Sequence, residues 1–129
     1  MTIRALDHVN IRAHRAVLDE LKTFYCDVLG LHAGPRPPFP RFGYWLHAGE
    51  RAVVHLYESD PGEARATHDD HTLDHFAFAC DDLAGVVATL ERHGLAYRKA
   101  SLPGRDVVQI FVRDPAGHSV ELDFAAEAA

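Results

Sequence analysis

Leu6-Asp7-His8-Val9, close to the amino terminus, returns as Leu73-Asp74-His75-Phe76, 67 residues further along. Each copy opens a strand-like stretch, Val9-Asn10-Ile11-Arg12 in the first and Ala77-Phe78-Ala79-Cys80 in the second. Apolar residues then recur at steps of three and four, the period of one helix face. In the first copy these are Val17, Leu18, Leu21, Phe24, Tyr25, Val28 and Leu29; in the second, Leu83, Val86, Val87 and Leu90. Both helical patterns stop at a Gly-Leu pair, Gly30-Leu31 and Gly94-Leu95, where glycine can take the left-handed conformation that closes a helix. A closing strand repeats too: Val53-Val54-His55-Leu56-Tyr57 matches Ser119-Val120-Glu121-Leu122-Asp123, 66 residues later. Two offsets that agree within one residue describe a duplicated βαβββ unit.

The pattern predicts strand 3–12, helix 15–29 and strands near 42–48 and 51–58 in module 1. For module 2 it predicts strand 74–80, helix 82–93 with Asp81 or Asp82 as N-cap, and strands near 96–101, 106–113 and 118–124. Ala48-Gly49-Glu50-Arg51 and Asp114-Pro115-Ala116-Gly117 place glycine in turns between strands. Gly34-Pro35-Arg36-Pro37-Pro38-Phe39-Pro40 cannot pair as a central strand, because proline lacks the amide donor, and reads as a rigid loop. Ser59 to Thr72 reads as the joint, and its His68-Asp69-Asp70-His71 run as solvated polar chain rather than a metal cluster. The expectation is one domain over 1–129, with module 1 at about 3–58 and module 2 at about 73–125.

Composition narrows the function. The 129 residues are 47% hydrophobic and 25% charged, with a net charge of -6, which fits a globular chain and excludes a disordered one. Lys and Arg are scattered, so neither a nucleic-acid surface nor an anionic membrane is an expected partner. No apolar run approaches the length of about 20 residues that a membrane helix needs, and MTIRALDHVN lacks a signal-peptide pattern. Two cysteines form no disulfide framework, so the expected location is the cytoplasm. Cys80, in register with Phe76 and Phe78, reads as packing.

Ten histidines stand out. Strand alternation sets His8, Asn10 and Arg12 opposite Val9 and Ile11, and His75 opposite Phe76 and Phe78. By the same rule His55 and Tyr57 oppose Val54 and Leu56, while Glu121 opposes Val120 and Leu122. Helices covering the apolar sets leave His8, His55, His75 and Glu121 on the other face. The duplication relates them as His8 to His75 and His55 to Glu121. Three imidazoles and one carboxylate on one concave face suit a divalent metal ion.

These residues carry a resemblance. Leu6-Asp7-His8-Val9, the helix end Phe24-Tyr25-Cys26-Asp27-Val28-Leu29-Gly30-Leu31, Leu73-Asp74-His75, and Asp114-Pro115-Ala116-Gly117-His118 leading into Val120-Glu121-Leu122 resemble the vicinal oxygen chelate superfamily. That superfamily includes glyoxalase I, extradiol dioxygenases, fosfomycin-resistance enzymes and bleomycin-binding proteins. The resemblance runs from Leu6 to Phe124 and implies an α+β, glyoxalase-like fold: two βαβββ modules forming an incompletely closed, barrel-like mixed sheet. It implies a homodimer, a small-molecule substrate, and a divalent metal such as zinc, nickel, iron or manganese. His8, His75 and Glu121 fall on the family's metal-ligand positions. His55 falls where the fourth-strand ligand of glyoxalase I is a glutamate; an imidazole there can serve as ligand, general base or hydrogen-bond donor.

The implied activity is that of a metal-dependent glyoxalase-like isomerase or lyase acting on vicinal oxygens of a small organic substrate. The alternatives are an Fe(II) extradiol-type ring-cleaving dioxygenase and a metal-free antibiotic-binding protein. Beside the metal set, Tyr57 shares the face of His55 and is the second catalytic candidate. Asn10 and Gln109 offer hydrogen bonds, Arg41 an anion contact and Trp45 a stacking wall for substrate. Arg36 and Arg105 stand in or near loops that can rim the same opening.

Overall fold

The computed structural model describes residues 1, 4–62, 75–101 and 106–125, so the joint with His68-Asp69-Asp70-His71, the Leu73-Asp74 pair and Arg105 lie outside the described residues. The chain divides into two compact units, Met1–Arg65 and Ala66–Ala129.

In the first unit, β1 (Val9–Ala13) leads into α1 (Arg15–Thr23), followed by β2 (His32–Ala33), β3 (Gly43–Ala48) and β4 (Arg51–Glu58). Leu18 and Leu21, one helical step apart, are fully buried in α1. They meet Ile11, Leu46, Val54 and Leu56 in the core, which are the strand positions that alternation selects. The sheet order is β1-β4-β3-β2. β1 runs parallel to β4, with Asn10 opposite His55, and β3 runs antiparallel to β4, with Trp45 opposite His55.

Three details differ from the sequence expectation. The first strand begins at Val9 rather than near residue 3. A two-residue strand, His32–Ala33, pairs with His47 and Leu46 just before the proline-rich loop, too short to show any alternation. The α-helix ends at Thr23, and Phe24–Val28 continue as a π-helical turn in which the Leu29 amide reaches back to Phe24 O at 3.1 Å. That wider turn buries Phe24 and Tyr25 before Gly30, at φ +83, closes it.

The second unit repeats the plan with β5 (His75–Cys80), α2 (Leu83–Arg92), β6 (Tyr97–Ser101), β7 (Val107–Arg113) and β8 (Ser119–Ala125). Its order, β5-β8-β7-β6, is that of the first sheet shifted by one module. Asp82 is the N-cap and accepts from the Gly85 amide at 3.2 Å. At the other end Leu95 N donates to Leu90 O and Gly94 N to Glu91 O, the two bonds of a Schellman motif with Gly94 at φ +67. Leu90, Ile110, Val112, Val120, Leu122 and Phe124 form the core of this unit. Cys80 is half-buried, as are Phe76 and Phe78. The fold class is as expected: two βαβββ modules, each an open four-stranded mixed sheet.

Candidate functional site

In module 1 the register puts His8, Asn10 and Arg12 beside His55 and Tyr57 on the face turned away from α1. His8 and His55 stack with ring centroids 3.8 Å apart and planes 11° from parallel. Trp45 covers the other face of His55, at 4.1 Å and 13°. His55 is thus the middle ring of three and only 8% exposed. Burial, and then the neighbouring His8 imidazole, pushes its pKa below the usual 6.5, so the ring stays neutral near pH 7. Its Nε2 faces Ala52 O at 3.2 Å, which leaves Nδ1 as the lone-pair nitrogen. For His8 it is Nδ1 that is engaged, by Asp7 Oδ2 at 2.7 Å, leaving Nε2 free. A carboxylate holding one imidazole nitrogen is the usual support for a metal ligand.

Tyr57 follows two residues beyond His55 on the same face, with the Arg12 guanidinium 5.1 Å from its ring centre. Asn10 is exposed directly opposite His55 across the β1–β4 ladder. Arg41 pairs with Asp60, which also takes Arg12 Nη2 at 3.3 Å.

In module 2, His75 Nε2 stands 3.4 Å from Glu121 Oε1. Two donors bound to one ion at about 2.1 Å each, near the tetrahedral angle, are separated by about that distance. Burial pushes the Glu121 pKa above its usual 4.5, and the adjacent Asp123 carboxyl adds to this, while His75 and Gln109 act the other way. Asp123 Oδ1 is itself buried without a hydrogen-bond partner. The imidazole nitrogen and the carboxylate oxygen supply two donors of the kind a divalent ion takes, two short of a closed set. Phe111, opposite Glu121 in the β7–β8 ladder, meets the His75 ring edge-on at 6.5 Å and carries the Arg98 guanidinium 4.3 Å over its face.

The sequence candidates therefore come together as two groups: His8, His55, Trp45, Asn10 and Tyr57 in one unit, His75, Glu121 and Gln109 in the other. Among the described residues no group of three or more His, Cys, Asp or Glu side chains is gathered closely enough to hold a metal ion. Sequence reading missed Asp123, Phe111 and Arg98. Asp123 was visible as the position two beyond Glu121; Phe111 could have been found as the partner, 66 residues on, of Trp45.

Comparison with known proteins agrees with the topology. A family model described as Glyoxalase/Bleomycin resistance protein/Dioxygenase superfamily matches residues 5–122. A glyoxalase family protein of Bacillus anthracis is 22% identical with a TM-score of 0.73, covering 97% of this chain and 98% of its own. A glyoxylase/bleomycin resistance protein/dioxygenase domain of Frankia sp. EAN1pec is 19% identical with a TM-score of 0.77, covering 99% and 96%. The trypanothione-dependent glyoxalase I of Leishmania major is 25% identical with a TM-score of 0.66, covering 93% and 86%. No curated protein sequence matches. With the family model spanning nearly its whole length, the chain belongs to the Glyoxalase/Bleomycin resistance protein/Dioxygenase superfamily.

Proposed function

We propose that this protein is a metal-dependent, glyoxalase-like enzyme of the isomerase or lyase type, acting on vicinal oxygens of a small organic substrate. The observation that carries the reading is the 3.4 Å approach of His75 Nε2 to Glu121 Oε1, with His8 and His55 at the matching positions of module 1. His8, through Nε2, with His75 and Glu121 would hold the ion. His55 serves instead as the base, because two parallel imidazoles stacked at 3.8 Å cannot both aim an in-plane lone pair at one ion. The bound ion would supply Lewis-acid polarisation of the substrate oxygens.

The chain's own groups then do the proton work. His55 Nδ1, kept neutral by burial, takes a proton from the carbon beside a carbonyl and returns it to the neighbouring carbon. Trp45 and His8 bracket its ring and hold that nitrogen in place. The Tyr57 hydroxyl and the Asn10 and Gln109 amides orient substrate oxygens. A homodimer in the cytoplasm is part of the reading, and Trp45 is its remaining substrate contact.

Metal analysis of untagged protein tests it: about one divalent ion per chain is expected, lost in His8→Ala and Glu121→Ala. Consumption of methylglyoxal–glutathione hemithioacetal with nickel or zinc tests the activity. One observation favours a second reading. His55 leaves the set with a single carboxylate, the two-histidine, one-carboxylate arrangement of Fe(II) oxygenases. Anaerobic iron loading followed by oxygen uptake on catechols distinguishes it. A protein without stoichiometric metal is instead a binding module.

A further inference from the structure

We infer that module 1 carries a second ligand site, for a small organic anion with a flat apolar body, such as an aryl carboxylate or aryl phosphate. The site is an open cleft of about 660 Å³ at the Glu58 end of β4, lined by Arg15, Arg36, Arg41, Glu58, Phe39 and Phe42. Glu58 differs in parity from His55 and Tyr57 and leaves the sheet on the opposite face, while Phe39 reaches Trp45 at 6.2 Å, so the site wraps the end of the sheet.

Charge decides the ligand's sign. Arg15 is matched by Glu58, through Nε at 2.8 Å and Nη2 at 3.2 Å. Arg41 is matched by Asp60. Arg36 has no carboxylate among the described residues. Its Nη2 donates to Arg41 O at 2.9 Å, and its Nε is buried with no acceptor. A guanidinium with one carbonyl for company has no carboxylate to balance its charge, and an anion in the cleft supplies that balance.

Shape decides the rest. Arg36 lies 5.1 Å from the Phe39 ring centre, and Phe39 is 47% exposed, an uncovered aromatic wall beside the charge. The volume far exceeds that of an inorganic ion and lies within the usual range of about 300–1,000 Å³ for organic ligands. Pro35 and Pro37 restrict the backbone on either side of Arg36, so little ordering is left to the moment of binding. A Cβ at Gly43 would come 3.0 Å from Arg36 Nη2, so the bare backbone there gives the guanidinium its seat.

The test uses untagged, full-length protein treated with EDTA, titrated calorimetrically with benzoate, phenyl phosphate, benzamide and inorganic phosphate. Trp45, the single tryptophan, lies 6.2 Å from Phe39 and gives an independent fluorescence signal. Benzoate or phenyl phosphate should bind, the tighter of the two identifying carboxylate or phosphate as the natural head group. Benzamide and inorganic phosphate should each bind at least about tenfold more weakly, and Arg36→Gln should lose about tenfold for the aryl anion. If Arg36→Gln does not fold, Phe39→Ala, at an exposed position, should show the loss. His8→Ala should bind as wild type does, which separates this site from the proposed metal site. Silence with both aryl anions, inorganic phosphate binding as well as phenyl phosphate, undiminished affinity in the variants, or loss in His8→Ala would each overturn the proposal.

Discussion

Asp114 holds the turn from which β8, with Glu121, sets out, and its replacement tests that role quantitatively. Its side chain is wholly shielded. Oδ1 accepts from Ala116 N and His118 N, both at 2.9 Å, and Oδ2 meets His118 Nδ1 at 2.8 Å. Asp114→Ala strips two amides and one imidazole of their acceptor. At about 1–3 kcal/mol per stranded group, relieved in part by water reaching the turn, the loss should be about 3 kcal/mol. A domain of this size has about 5–15 kcal/mol in all. Asp114→Asn keeps an oxygen for the amides and gives up only the charge facing His118, so it should cost about 1–2 kcal/mol in acid. The hydrogen bond to Asp114 raises the His118 pKa above 6.5. A histidine with a raised folded pKa contributes stability that is full below the unfolded value and is lost as pH rises through the folded one. The gap between wild type and Asp114→Asn should therefore be widest near about pH 5.5 and narrow toward about pH 9, read as urea midpoints of metal-free protein. A gap that stays constant across that range, or an alanine cost below about 1 kcal/mol, would refute the reasoning.

Metal-free Glu121→Gln should melt about 4 °C above wild type near pH 8, because ionising a carboxyl whose folded pKa is raised costs stability above pH 4.5 and nothing below it. Scanning calorimetry with zinc should reverse the order, raising the wild type and leaving the variant in place. Leu21→Ala empties a fully buried position in α1 and should cost about 3 kcal/mol in chemical denaturation; a loss under about 1 kcal/mol would mean that the helix does not seal this core. In Gly43→Ala the new methyl runs into Leu56 O on the neighbouring strand. The pairing of β3 with β4 must open to admit it, and a drop of about 2 kcal/mol with faster exchange of the Gly43–Tyr57 ladder amides is expected.

Where a residue's position follows from period alone, the chain was readable before any coordinates. Leu18, Leu21, Val54, Leu56, Val120 and Leu122 are buried where their spacing puts them, and Asp82 caps the helix it precedes. The Phe24–Val28 π-turn was not readable, since one extra residue per turn leaves the apolar pattern nearly unchanged. Nor was His32–Ala33, whose pairing depends on β3 passing nearby rather than on its own two residues. At the site, alternation gave the faces of His8, His55 and Glu121. It could not give the ring stack, which is a matter of side-chain rotation, or the pairing of Arg41 with Asp60.

The doubled unit also bears on why His55 should be a base when its counterpart should be a ligand. Trp45 opposite His55 and Phe111 opposite Glu121 are the same ladder position in the two modules, and both are aromatic. A ring beside an imidazole stacks on it: His55 is clamped between Trp45 and His8, its pKa held down and its rotation blocked. A ring beside a carboxylate cannot do that. Phe111 stands perpendicular to the His75 ring and turns its face to Arg98, and the Glu121 oxygen approaches His75. The same scaffold thus immobilises a neutral nitrogen in one module and presents an ionisable oxygen next to an imidazole in the other. On the proposed reading, changing His55 to glutamate would remove the stack, add a second carboxylate donor and trade the base for a ligand. His55→Glu should then bind nickel or zinc more tightly while losing the pH dependence that a neutral imidazole imposes. Weaker metal binding in that variant would show His55 to be a ligand already.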